Sequence, residues 1–456
     1  MTAEVAVMNK RAVALAADSA VTAQIGDDGN QIYDTVDKLF TISKYHPVGI
    51  MIYGSANFMG IPWETIIKSY REQLKDKSFD KVGGYVKNFT SYLENSKNFF
   101  PKNLQKKYFR GNAKHLVLEL SNVIDKEIDQ SSSSGESINK SSIVEEVINN
   151  YKEVFESADV LSNFDEESIS NISNYYDEIF EDDILPFIEE YGLDDEQASK
   201  LKDISIGIII RDNFPKHKRS GVVIAGFGDK QHFPKTKALD IEGVFGGKLK
   251  YKVRDEGDIG HGNPASIMSF AQDEMVKSLM DGIHPDYKET VKGFVENMLH
   301  NMPNRVVENA DSLNSKQKKE VEEILEKAGA NLRLQFDKRI RDHQLERYTA
   351  PVLDAVHILP KDKLAALAQS LINLTSFKRE FSRDDETVGG PIDVAVISKG
   401  DGFIWIERKH YFDPEQNPQF FANYYRDTEG RVKAPTDAES YTDMTATQRG
   451  PDSDSE

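Results

Sequence analysis

The chain has 456 residues, 39% apolar and 29% charged, with no cysteine and a formal net charge of −19. That is the composition of a globular protein, large enough for one domain with insertions or for two to three smaller ones. It excludes disulfides, thiolate zinc sites and a cysteine nucleophile, and the acidic balance argues against nonspecific binding to nucleic acid or to an anionic membrane, both of which need a basic field.

No run approaches the roughly 18 apolar residues of a membrane span. The first apolar stretch is broken by Lys10 and Arg11, so it does not read as a signal peptide, and a cytoplasmic location is the default expectation. Residues 3–9 and 12–18 read as a hairpin around Asn9-Lys10-Arg11. Strands are expected at 37–42 and 48–53, then a turn at Gly54-Ser55-Ala56 and a helix over 62–74 with Ile66, Ile67, Tyr70 and Leu74 on one face.

From about residue 100 to 205 the pattern becomes helical, with Ser131-Ser-Ser-Ser-Gly-Glu as a low-complexity loop. Strands return at 221–228, 238–244 and 248–253, with glycines at the turns. The Gly226-x-Gly228 pair is weak as a phosphate loop, because no helix signal follows it. A helix is expected over 265–280, a charged helical stretch over 286–345 and another helix over 361–378. A closing hairpin spans 392–398 and 403–408, and an acidic, flexible tail follows. The expected division is 1–100 for the first half of a core, 101–205 for a helical insertion and 206–281 for core strands and a helix. Residues 282–350 form a second helical insertion, 351–412 the closing core helix and strands, and 413–456 the tail. This order implies an α+β protein whose mostly antiparallel sheets pack face to face with helices on their backs.

The chemistry concentrates at the start. Loss of Met1 would leave Thr2 with a free α-amine beside its hydroxyl, a nucleophile and a general base on one residue. Thr2 is followed sixteen residues later by Asp18, within Val13-Ala-Leu-Ala-Ala-Asp-Ser19. Lys38 opens Lys-Leu-Phe-Thr-Ile, Gly54 ends the next strand in Ile52-Tyr-Gly-Ser-Ala56, and Asp385-Glu-Thr-Val-Gly-Gly390 stands near the final hairpin. Taken singly, each is ordinary: a strand-end aspartate, an edge lysine, a turn glycine. In this order, anchored to the chain start, they resemble the proteasome β-type subunits of the N-terminal nucleophile (Ntn) hydrolases. The likeness covers roughly residues 2–75, 219–281 and 355–408.

The resemblance implies a four-layer αββα sandwich with large helical insertions, acting as a threonine-type peptidase or amidohydrolase. Thr2 would attack the acyl carbon, Lys38 would favour a deprotonated amine, Asp18 would hold Lys38, and the Gly54 amide would stabilise the oxyanion. Asp385 would complete the catalytic set, with Ser19 as an auxiliary group. Where the family carries serines, this chain has Val388 and His261, and His261 is a candidate proton shuttle against the plainer reading of a turn histidine. Val21, Ile52 and Ala56 would line an apolar specificity pocket. The remaining histidines lack metal-ligand spacing, so neither a catalytic metal nor any other cofactor is expected. The implied partners are a peptide or protein substrate, further copies of the chain and, as an option, an unfoldase. The competing reading is a noncatalytic proteasome-like assembly or partner-binding subunit.

Overall fold

A computed structural model describes residues 2–25, 29–33, 35–133, 140–214, 219–310, 312–381 and 389–425. The chain is a mixed α+β protein built on two five-stranded antiparallel sheets and many helices. It opens with strands β1 (Ala3–Asn9), β2 (Ala12–Ala17), β3 (Val21–Ile25), β4 (Gly29–Tyr33), β5 (Leu39–Thr41), β6 (Val48–Gly54), β7 (Asn57–Phe58) and β8 (Ile61–Pro62). Helices α1 (Trp63–Leu74) and α2 (Val82–Asn95) follow, then α3 (Lys102–Ser133), α4 (Lys140–Glu156), α5 (Glu166–Ile179), α6 (Leu185–Tyr191) and α7 (Asp195–Ile210). Strands resume as β9 (Ser220–Gly226), β10 (Lys235–Phe245), β11 (Lys248–Asp258) and β12 (Ala265–Ala271). Next come α8 (Glu274–Asp281), α9 (Pro285–Glu308), α10 (Ser315–Gln344), α11 (Ala350–Ile358) and α12 (Lys361–Glu380), then β13 (Asp393–Ser398) and β14 (Gly402–Glu407).

The first sheet has the order β12-β1-β2-β13-β14 and the second β11-β10-β9-β6-β5. Strand period decides what each face meets, since successive side chains point to opposite sides. In β1 and β2, Ala3, Val5, Val7, Ala12, Ala14 and Ala16 pack with Val356 of α11 and with Leu364, Ala368 and Leu371 of α12. The intervening Ala6, Met8, Val13 and Leu15 pack with Met51, Tyr53, Val223 and Ala225 of the second sheet. The other face of that sheet, with Ile50, Ile52, Val222 and Ile224, buries Trp63, Ile67, Tyr70 and Phe89 of α1 and α2. Close approach of the sheets depends on Gly49, where a Cβ would stand 2.7 Å from the Phe403 ring and 2.9 Å from Ile397.

Helices α3 to α7 enclose a second core, with Leu120, Ile124, Ile148, Tyr176, Leu201 and Ile209 at its centre. A buried charge network fastens this body to the second sheet. The Lys250 ammonium of β11 donates to Glu242 of β10 at 2.6 Å and to the carbonyls of Ile208 (2.6 Å) and Asn213 (2.5 Å) at the end of α7. From α3, the Asn112 amide donates to the other Glu242 oxygen at 3.4 Å.

One expectation from sequence is overturned here. Residues 265–280 are not one helix, because 265–271 form β12, paired along all of β1 from Ala3↔Ala271 to Asn9↔Ala265. A sheet edge that needs a partner outweighs the neutral propensities of Ala-Ser-Ile-Met-Ser. The tail expected over 413–456 contains α13 (Pro418–Tyr425). The described residues past Arg408, 409–425, belong to a unit of their own, in which Phe412, Phe420 and Phe421 pack ring against ring; residues 426–456 lie outside the described residues. The β3–β4 hairpin was not expected, since its strands are rich in Gln, Asn and Gly rather than in β-formers.

Lys250→Met should destabilise the fold by about 3–5 kcal/mol in urea unfolding, because it strands the buried Glu242 carboxylate. Adding Glu242→Leu should recover part of that loss. A single-variant loss under about 1 kcal/mol would show that the network does not anchor the helical body.

Candidate active site

Strand parity places the site. Thr2 and Glu4 share the side of β1 that turns toward the second sheet, the side of Ala6 and Met8. Thr2 is 2% exposed and its carbonyl accepts from the Gln272 amide at 3.1 Å. Gln272 is aimed by Ala271, which ends β12 with φ 61°, a left-handed conformation that costs a non-glycine residue about 1 kcal/mol.

Asp18, just past β2, organises the neighbourhood. Its Oδ1 accepts the Ala3 N–H at 3.0 Å and the Lys38 ammonium at 2.6 Å. Its Oδ2 accepts the Gly389 N–H at 3.2 Å. Lys38 is 4% exposed and stands immediately before β5, its carbonyl tied to the Ile52 amide of β6 at 2.8 Å. A lysine so buried requires this carboxylate, because an unpaired ammonium in an apolar interior is strongly disfavoured.

Gly54 closes β6 with φ 80°, and a Cβ there would meet the Arg219 carbonyl at 2.9 Å. Glycine is thus required on two counts. Its N–H points at Thr2 Oγ1 at 3.5 Å, and the residue itself is solvent-exposed. Thr2 and Gly54, 52 positions apart in sequence, therefore meet at one hydroxyl, and the Lys38–Asp18 pair holds the adjacent Ala3 amide.

The structure adds a residue that the sequence reading passed over. Glu4 is fully buried and accepts the Thr2 hydroxyl proton at 3.1 Å through Oε2. Its Oε1 lies 3.7 Å from the Lys38 ammonium and has no hydrogen-bond partner. Burial drives its carboxyl up to about 8; Lys38 opposes the rise, Asp18 adds to it, and the Thr2 hydroxyl opposes it. The signal was available: a lone carboxylate on the inward parity of an otherwise apolar strand, two residues from the proposed nucleophile.

The other candidates are distributed unevenly. The Ser19 hydroxyl donates to the Pro391 carbonyl at 2.5 Å, and its amide donates to the Gly389 carbonyl, so it braces the approach to β13. His261 is not brought to the cluster. It precedes β12, whose first residue Ala265 pairs with Asn9, so it sits at the end of β1 opposite Thr2, roughly 20 Å of strand away. There it is an exposed turn residue with its ring against Phe233, and a proton shuttle to Thr2 is corrected on that ground. Asp385 and Val388 lie outside the described residues.

Among the pocket candidates, Val21 is half-buried in β3, and Ile52 is packed into the core against α1 and α2. Ala56 is half-buried, its carbonyl accepting from Trp63. A cavity of about 540 Å³ does open beside Gly54, but none of the three lines it. Its walls are Ser55, Asn57 and Gly60 on one side and Tyr108, Asn112 and Glu242 on the other. Among the described residues no group of acidic and histidine side chains could hold a metal ion, and no helix is long and apolar enough to cross a membrane.

The raised Glu4 carboxyl has a consequence for stability with a definite sign. Between its ordinary value near 4.5 and about 8, the unfolded chain has released a proton that the folded chain keeps. Folding stability from this group therefore falls as pH rises through that window and stays low above it. Glu4→Gln should remove the fall, so the gap in stability between variant and parent should widen from pH 5 to pH 8 by a few kcal/mol, at about 1.4 kcal/mol per unit. A gap independent of pH in thermal or urea unfolding would contradict a buried, neutral carboxyl.

No known protein-family model matches the chain, and no curated protein does. Solved structures similar to it include the Anbu (Gly-1) mutant from Hyphomicrobium sp. strain MC1, at 8% identity over 93% of each chain with a TM-score of 0.26. Another is Anbu (ancestral beta-subunit) from Yersinia bercovieri, at 9% identity over 99% of this chain and 100% of that one, with a TM-score of 0.25. Both TM-scores are too low to carry a shared fold by themselves.

Proposed function

We propose that the chain is an N-terminal threonine hydrolase of the Ntn type, a proteasome-like peptidase or amidohydrolase that cleaves amide bonds through an acyl ester on Thr2 once Met1 has been removed. The observation that carries the reading is one contact and its surroundings: Thr2 Oγ1 lies 3.5 Å from the Gly54 amide, and the Lys38–Asp18 pair at 2.6 Å holds the adjacent Ala3 amide. The stacking of α11 and α12, first sheet, second sheet, and α1 and α2 supports the four-layer αββα sandwich of that class. In this reading α3 to α7 and α9 to α10 are insertions in that sandwich.

The mechanism follows from the contacts. The hydroxyl of Thr2 attacks the acyl carbon, with the freed α-amine, ordinarily near 7.7–8.0, available as a base. Negative charge developing on the acyl oxygen is met by the Gly54 N–H, and loss of one such donor typically lowers the rate by about 10²–10³. Lys38 supplies a positive field and Asp18 fixes it in place, while the same Asp18 holds the Ala3 amide and so the start of β1. Water then releases the acyl group. The substrate is a peptide or protein segment, and self-association of the chain would restrict access to the site; an unfoldase partner is compatible with that arrangement.

A peptide epoxyketone needs both the hydroxyl and the free amine of a threonine terminus. The purified mature chain should take up one equivalent, seen as a mass increase on the N-terminal peptide, and Thr2→Ala should take up none. Labelling that persists in Thr2→Ala, or a mature chain that stays unlabelled with its Thr2 amine free, would favour the noncatalytic assembly subunit instead.

A further inference from the structure

Glu4 lies between two groups that the hydrolase reading would place in direct contact. The Thr2 hydroxyl donates to Glu4 Oε2 at 3.1 Å, while Glu4 Oε1 stands 3.7 Å from the Lys38 ammonium. Among the described residues no hydrogen bond joins Lys38 to Thr2; the lysine donates instead to Asp18 at 2.6 Å. The nucleophile is thus linked to its lysine through a carboxyl group that is fully buried and has one oxygen unpartnered.

Such a group is costly to keep. A buried carboxyl with an orphaned oxygen destabilises a fold unless it is used, and the neighbouring positions of β1 show that apolar residues fit this face. Resting on the reading of Thr2 as the nucleophile, we propose that Glu4 is the proton carrier of the acyl transfer, a catalytic residue that takes the hydroxyl proton of Thr2 and returns it to the leaving nitrogen.

The step balances within the site. With Glu4 as carboxylate beside the Lys38 ammonium, the Thr2 O–H bond breaks and its proton passes to Glu4 Oε2. Oγ1 forms its bond to the acyl carbon as the carbonyl electron pair moves onto oxygen, against the Gly54 N–H. On collapse of the tetrahedral intermediate that pair reforms the carbonyl. The C–N bond breaks, and the Glu4 proton goes to the leaving amine, restoring the carboxylate. Deacylation repeats the sequence with water in place of the hydroxyl and Oγ1 as the leaving atom. A carboxyl whose affinity for protons is raised toward neutrality by burial can serve both directions, as base and then as acid. The charged groups that face it are Lys38, from the connection into β5, Asp18, from the end of β2, and the chain's amino terminus, which opposes the rise as Lys38 does. Beside it in the first sheet stand Ala17 and Phe270, which carry no charge.

The test uses a peptide β-lactone, which acylates the threonine hydroxyl without requiring the amine to join the adduct. The acylation rate of the full mature chain is followed by intact mass from about pH 6 to about pH 9.5, for the parent, Glu4→Gln, Glu4→Asp and Thr2→Ala. The parent rate should rise with one ionisation near pH 8. Glu4→Gln should be slower by about 10²-fold and lose that rise, as for removal of a positioned general base. Glu4→Asp should keep the rise at an intermediate rate. If Glu4→Gln reacts within about threefold of the parent and keeps the rise, the α-amine is the base and the Glu4 role is overturned while Thr2 remains the nucleophile. If the parent itself is not acylated at any pH, the hydrolase reading fails and this role with it. Circular dichroism of Glu4→Gln guards against misfolding, which a neutral side chain of the same shape is not expected to cause.

Discussion

One carboxylate determines the geometry of the site. Asp18 accepts three donors from three distant parts of the chain: the Ala3 amide at the start of β1, the Lys38 ammonium ahead of β5, and the Gly389 amide on the approach to β13. A buried carboxylate is tolerated only when its lone pairs are so occupied, and a buried ammonium only beside such a carboxylate. Each partner therefore requires the others, and the first residues of the chain, which would ordinarily fray, are drawn into the protein. Pairing of β1 with β2 on one side and β12 on the other then fixes the direction in which Thr2 and Glu4 face.

Around that point the fold gathers order and backbone strain. Two positive-φ residues flank Thr2: Gly54, which presents its amide, and Ala271, which positions the amide of Gln272 on the Thr2 carbonyl. Glu4 carries a burial penalty on the same small surface. Such costs gathered at one locus are what a working site would show, and the interface between the sheets around it is packed mainly with Val, Ala, Leu and Met. A second buried ion pair, Lys250–Glu242, has a different character. It joins β10 and β11 to α3 and α7 and serves as an anchor.

Much of this was legible in the sequence, for physical reasons. The β1–β2 hairpin, β6 and β13 are short apolar runs bounded by turn residues, and α1 and α12 keep a clear helical period. Thr2, Asp18, Lys38 and Gly54 could be named because their order and spacing resemble the motifs of the proteasome β-type subunits. Elements whose structure is imposed by partners were less visible. Ala265–Ala271 is a strand because β1 needs an edge partner, and the polar β3–β4 hairpin has almost no apolar alternation to read. Glu4 was overlooked because a glutamate in an alternating strand is ordinarily on the solvent side; here both faces of β1 are covered, which its nearly unbroken apolar run already indicated. His261 was misassigned because local sequence around a turn does not reveal which end of a strand that turn adjoins.

The central claim is that Thr2 Oγ1, the Gly54 amide and the Lys38–Asp18 pair form one reaction centre once the Thr2 amine is freed. A crystal structure of the mature chain reacted with a peptide boronate tests it most directly. The predicted result is a tetrahedral boron bonded to Thr2 Oγ1, with one boronate oxygen at hydrogen-bond distance from the Gly54 amide and the Lys38–Asp18 contact retained. A boronate bound elsewhere, or a freed terminus that withdraws from Gly54 and Lys38, would contradict the account.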